Sequence, residues 1–227
     1  KGEWIKIIHD DDWLADENAL QLFYDAAVNT GADCVFSGYQ SYYEANGEFE
    51  NKTITQKTFG KLLKNPCLLF ADNKIGPPSV LMFYKNLKAL YDPALKWLVD
   101  LEGYMRMLRQ YKCVYIDRPL INMSYNETQV TNSCFRNPDV EIPEALILYK
   151  KFGNEMTHPL LTYDAWWRLL RNLSIRSEAT LQKHAHGEAL PSFLLRMLAF
   201  QQLFPAWLLK FGVSSKCLMF ICYLTRR

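Results

Sequence analysis

The chain of 227 residues is 49% apolar and 22% charged, with a formal net charge of +2. That is enough apolar material for one large domain, or one domain with an appendage. Ten glycines, ten prolines and 14% aromatic residues exclude collagen-like, low-complexity and disordered classes, and the balanced charge lacks the basic stripe of a nucleic-acid binder. The opening KGEWIKIIHDDDW reads as the inside of a domain rather than a leader, and no apolar run is long enough to predict a membrane-crossing helix. Six cysteines lie scattered with no C-x-x-C pair. Most are expected to be reduced core residues of a cytosolic protein.

Taken in order, Trp4 to His9 is an apolar, β-rich run expected to form a buried strand, and it ends in three aspartates. Residues 16–29 carry Ala19, Leu20, Phe23, Ala26 and Ala27 at helical spacing, with Gly31 as a stop. Residues 34–37 predict a second buried strand and 39–43 an exposed one, with Asn46-Gly47 as a hairpin turn. This strand–helix–strand pitch is that of a βαβ unit. A short helix is expected at 55–63, a rigid turn at Gly76-Pro77-Pro78-Ser79 and an apolar strand at 80–84. A helix follows at 101–110, with Asp100 at or just before its first turn. Residues 113–116 predict a strand cut off by Arg118-Pro119, with 120–125 continuing extended.

From Pro143 onward the pattern becomes helical, at 143–152, 160–173 and 191–211, the last kinked at Pro205. An α/β region is therefore expected over 1–135 and a helical region over 136–227. Between Pro191 and Arg227 there is no acidic residue, while Arg196, Lys210, Lys216, Arg226 and Arg227 are interleaved with Phe193, Trp207, Phe211 and many leucines. A basic, acid-free amphipathic stretch of this kind suits the surface of an anionic bilayer; a helix pair closing the core is the other reading. His184 and His186 read as a polar interhelix connection rather than a metal pair.

Three adjacent carboxylates at Asp10, Asp11 and Asp12 repel one another, and a cation or polar ligand relieves that repulsion. Mg²⁺ or Mn²⁺ bound by carboxylate oxygen and shared with substrate phosphates is the expected occupant. The end of a sheet strand is also where α/β folds bind ligands.

The segments GEWIKIIHDDDWL, IGPPSVLMFYKN, YDPALKWLVDLEGYMRML and VYIDRPLINMSYNETQVTN resemble, in order and spacing, the family 2 glycosyltransferases over residues 2–133. The resemblance implies an incomplete GT-A-like mixed sheet flanked by helices, followed by a helical C-terminal tail. It implies a nucleoside-diphosphate sugar as donor, commonly a UDP-sugar, and a glycan or lipid-linked acceptor in surface polysaccharide or glycolipid synthesis. The protein would then work in the cytoplasm, peripherally at the inner face of the membrane.

By position, the resemblance makes Asp12 and Asp11 the DXD-type metal acids, with Asp11 also toward the ribose or sugar. His9 stands where many members have the first Asp, and Asp10 fills the variable position. Asp100 falls where the family keeps its catalytic base; Glu102, two residues on, is the weaker acid candidate. Ser79, in the loop before the strand that borders the acceptor pocket, is a substrate-contact candidate. Asn126 replaces a frequent His of the closing loop, before Gln129, Val130 and Thr131, and supplies only a neutral oxygen or amide.

Family members have a further strand, helix and strand ahead of the metal motif, so the sequence is expected to be a fragment or a truncated product with exposed apolar edges and poor autonomy. The rival reading is a degenerate, non-catalytic glycan- or membrane-binding module. A metal-dependent phosphotransferase is weaker, because a Gly-rich phosphate loop is lacking.

Overall fold

The computed structural model describes residues 2–44, 46–87, 91–125 and 134–225. It divides into two compact units, Lys1–Pro93 with Val99–Asn132, and Ala94–Leu98 with Ser133–Arg227.

The first unit is α/β with a mixed sheet. Its strands are β1 (Trp4–Lys6), β2 (Asp12–Leu14), β3 (Cys34–Tyr43), β4 (Glu48–Lys52), β5 (Leu81–Tyr84) and β6 (Cys113–Tyr125), and its helices α1 (Ala19–Thr30), α2 (Gln56–Lys64) and α3 (Val99–Gln110). The order is β1-β5-β3-β6-β2, with β4 also on β3. The β3 and β6 strands run parallel, and every other pairing is antiparallel.

The N-terminal strand–helix–strand does not place its strands side by side. The β5 strand sits between β1 and β3, antiparallel to both. Its sequence explains the position: Leu81, Met82 and Phe83 are all buried, as a strand covered on both faces requires. The first strand is shorter than its apolar run and lies at the edge, where Ile5 is 41% exposed. The buried strand expected there is therefore a half-exposed one.

Helix α1 covers one face of the sheet. Ala19, Phe23 and Ala27 meet Val35, Met82, Leu120 and Ile121, and α1 stops at Gly31, whose φ of 60° suits a residue without Cβ. The other face meets α2 and α3 through Phe36, Phe59, Tyr104 and Tyr115. Pro119 does not end β6. The strand runs through it because the register slips opposite Gly38, a bulge that tolerates a residue without N–H. A Cβ on Gly38 would lie 2.9 Å from Lys52 O, so this crossing needs glycine.

Gly76 has a φ of +107° and would place a Cβ 2.4 Å from the Tyr39 ring. Gly76→Ala is expected to cost about 2–3 kcal/mol in urea unfolding, from backbone strain and the clash together.

The second unit is helical: α4 (Pro138–Phe152), α5 (Leu160–Asn172), α6 (Glu178–His184), α7 (Ser192–Gln202), α8 (Ala206–Lys210) and α9 (Gly212–Leu224). Helix α4 begins five residues before the expected Pro143. Asn137 caps it by accepting from Asp139 N at 3.0 Å, and Pro138 takes the first helical position. Pro143 is accommodated inside that helix. The expected 191–211 helix is broken at Pro205 into α7 and α8.

Trp166 and Trp167 are fully buried, with their indole N–H groups donating to Met156 O and Ser215 Oγ. The rings of His184 and His186 both sit on Asp139 Oδ1, at 2.6 and 3.1 Å, tying the end of α6 to the start of α4. None of the six cysteines is in a disulfide, and only Cys217 is exposed. No helix among the described residues is long and apolar enough to cross a membrane.

Candidate active site

After β1 the chain runs through residues 7–9 and turns at Asp10 and Asp11. Asp12 N donates to His9 O at 3.1 Å across that turn, and Asp12 then enters β2 opposite Met123. A turn between two short strands thus gathers three potential ligands: one atom each of His9, Asp11 and Asp12 lie within 4.8 Å of one another. Asp10 is exposed on the turn and is not in that group.

Ser79 is fully buried behind the cluster. Its Oγ accepts from His9 N at 3.0 Å, and its hydroxyl lies close enough to the Asp12 carboxyl to lower its pKa. One hydroxyl therefore holds the backbone of one ligand and faces the side chain of another. The Ser79 carbonyl in turn accepts from Lys6 Nζ, which also donates to Ile7 O and Leu81 O at 3.1 and 3.3 Å. Lys6 Nζ lies 4.5 Å from the Phe23 ring centre. Burial lowers its pKa to about 7, against the opposing pull of Asp12.

Burial raises the Asp12 carboxyl above the usual range. The Ser79 hydroxyl opposes that shift, Asp11 adds to it, and His9 and the Ser124 backbone oppose it. Asp12 Oδ2 is buried with no hydrogen-bond partner, which is costly for an anionic oxygen. A cation at the cluster would satisfy it. Two carboxylates and an imidazole fit Mn²⁺ or Mg²⁺, and the nitrogen donor favours Mn²⁺, because Mg²⁺ prefers oxygen alone.

Asp100 lies in the first turn of α3. Burial raises its pKa to about 6, and the nearby His9 pulls it down. His9 is thus within electrostatic reach of both Asp12 and Asp100. Tyr91 is pushed to about 12, first by burial and then by Asp100, and its hydroxyl is buried without a hydrogen-bond partner.

The structure therefore brings together His9, Asp11, Asp12 and Ser79, with Asp100 coupled to them through His9. Glu102 is buried and forks onto Arg106 at 3.1 and 3.0 Å, an i,i+4 pair. Its carboxylate is committed to that ion pair. Asn126, with Gln129, Val130 and Thr131, lies outside the described residues. Sequence reasoning missed Lys6 and Tyr91. Lys6 carried a signal, being a charge inside the apolar WIKII; Tyr91 carried none. No family model and no curated protein sequence matches this chain.

Proposed function

We propose that the first unit is the catalytic body of an inverting, metal-dependent glycosyltransferase of GT-A type. It would move a sugar from a nucleoside diphosphate, most simply UDP, to a hydroxyl of a glycan or lipid-linked acceptor. One observation carries the reading: a His9–Asp11–Asp12 cluster after β1 shares, through His9, the electrostatic surroundings of a half-buried carboxylate in the first turn of α3. An acidic cluster alone would be ordinary surface. A cluster backed by a buried serine and lysine, with a perturbed carboxylate nearby, is the arrangement that acid–base chemistry uses.

Bound at His9, Asp11 and Asp12, Mn²⁺ or Mg²⁺ supplies charge stabilisation for a departing diphosphate. Asp100 accepts the proton of the acceptor hydroxyl as the new C–O bond forms and the bond from the anomeric carbon to the diphosphate breaks. A single displacement of this kind inverts the anomeric centre. A base with a pKa near 6 is ionised at neutral pH yet still basic enough for the task. Lys6 and Ser79 are positioning residues, holding Asp12 and the His9 backbone.

The test is turnover of a UDP-sugar with Mn²⁺, paired with Mn²⁺ binding by calorimetry. Asp12→Ala is expected to lose both, with turnover falling by about 10²-fold or more. Asp100→Ala is expected to lose turnover and keep Mn²⁺ binding. Undiminished turnover in both variants would remove the assignment.

A further inference from the structure

Helix α9 is apolar on both sides. Met219 and Cys222 are buried with Ser215 on one side, while Val213, Cys217, Phe220, Ile221 and Leu224 recur at helical spacing and are exposed. A helix on the outside of a globular unit ordinarily turns a polar side to water. Just before it, Leu203, Trp207 and Phe211 are 73%, 70% and 63% exposed. These residues succeed one another at intervals of four through the α7–α8–α9 connections.

The side-chain charge of this segment is of one sign. Arg196, Lys210 and Lys216 are exposed, and no carboxylate occurs from residue 191 to the end of the sequence. A cleft beside α8 is lined by Arg171, Arg176 and Lys210 with Ser174 and Gln201. Arg176 donates to Gln201 O and Phe204 O at 2.9 and 2.6 Å, and Arg171 donates to Ser215 Oγ at 3.1 Å. None of the three forms an ion pair with a carboxylate among the described residues.

We infer that α7, α8 and α9 present a docking face for an anionic lipid surface, with Trp207, Phe211, Phe220 and Ile221 entering the acyl boundary and Lys210 and Lys216 meeting headgroup phosphates. A protein partner gives no reason for every carboxylate to be missing, whereas a negatively charged bilayer does. A tryptophan at the rim of such a face suits the headgroup level. The inference concerns the second unit alone and does not depend on the transferase reading.

Cys217 is the one exposed thiol and reports on this face directly. The full chain, labelled there with a polarity-sensitive fluorophore, is mixed with vesicles of phosphatidylcholine or of phosphatidylcholine with phosphatidylglycerol. Blue-shifted emission and co-sedimentation are expected with the anionic vesicles only. The double variant Lys210→Gln/Lys216→Gln is expected to weaken partitioning about tenfold. Trp207→Ala with Phe220→Ser is expected to lose the emission shift while circular dichroism stays unchanged, because both side chains face solvent.

Asp12→Ala is expected to bind vesicles like the unaltered chain, so failure of the transferase reading leaves this readout standing. Equal binding to neutral vesicles, or no binding by a folded chain, would overturn the inference. Concentration-dependent dimerisation that shields Cys217 without lipid would overturn it too.

Discussion

Asp100→Asn is expected to cut turnover sharply and to make the chain more stable at neutral pH. The carboxyl at position 100 has a pKa of about 6 in the folded chain against an ordinary value of 3.8, so folding opposes its charge. Between those two values the folded state binds more protons than the unfolded one, and stability falls as pH rises through that window. Above pH 6 the full cost is in place, on the order of 1–3 kcal/mol for a partly exposed group. Asparagine removes the charge and keeps the shape. Urea unfolding at pH 7 should show Asp100→Asn more stable by about that amount, with the difference gone below about pH 4. On the proposed reading turnover should fall about 10²–10⁴-fold, and the unaltered chain should lose rate as pH drops through 6, where Asp100 takes up its proton. A carboxylate serving only the helix start would behave oppositely. Removing it would cost about 1 kcal/mol of stability, and that sign would end the assignment of Asp100 as base.

How far the sequence carries depends on how local the cause is. The aspartates after an apolar run, the helix of residues 19–30 and the carboxylate opening α3 are all readable, because each is fixed by neighbours a few residues away. The place of β5 between β1 and β3 is not. It follows from pairing Phe83 with both Ile5 and Cys34, contacts that no local pattern encodes. Ser79 illustrates the same limit in the site. Its turn is legible in Gly76-Pro77-Pro78, but its hold on residues some seventy positions away is a product of the sheet order. Pro119 misleads because its usual effect on a strand is cancelled by a bulge whose other half is Gly38. In the second unit the apolar content of α9 is plain from its letters, and which side of it meets water is not.

Glu144 is likewise beyond any local pattern, and its removal should be the largest stability loss in the second unit. Nothing in EIPEALILYK distinguishes it from an ordinary helix carboxylate, yet it is 5% exposed. One oxygen accepts from Lys96 N at 2.7 Å and Trp97 N at 3.1 Å; the other accepts from Trp97 N at 2.9 Å and Leu98 N at 2.6 Å. Residues 94–98 belong to the helical unit, and this carboxylate supplies the acceptors that three successive amides of the segment need. Glu144→Ala leaves those donors with no acceptor in place and opens a void in α4. A loss of about 3–5 kcal/mol is expected in urea unfolding. Glu144→Gln keeps one acceptor oxygen and turns an NH₂ toward the other amides, so its cost should be large but smaller than that of alanine. Hydrogen exchange gives the independent measurement: the amides of residues 96–98 should lose protection in both variants, while those of α9 keep theirs until the unit melts. Unchanged protection at 96–98 in Glu144→Ala would show that the carboxylate does not hold this segment.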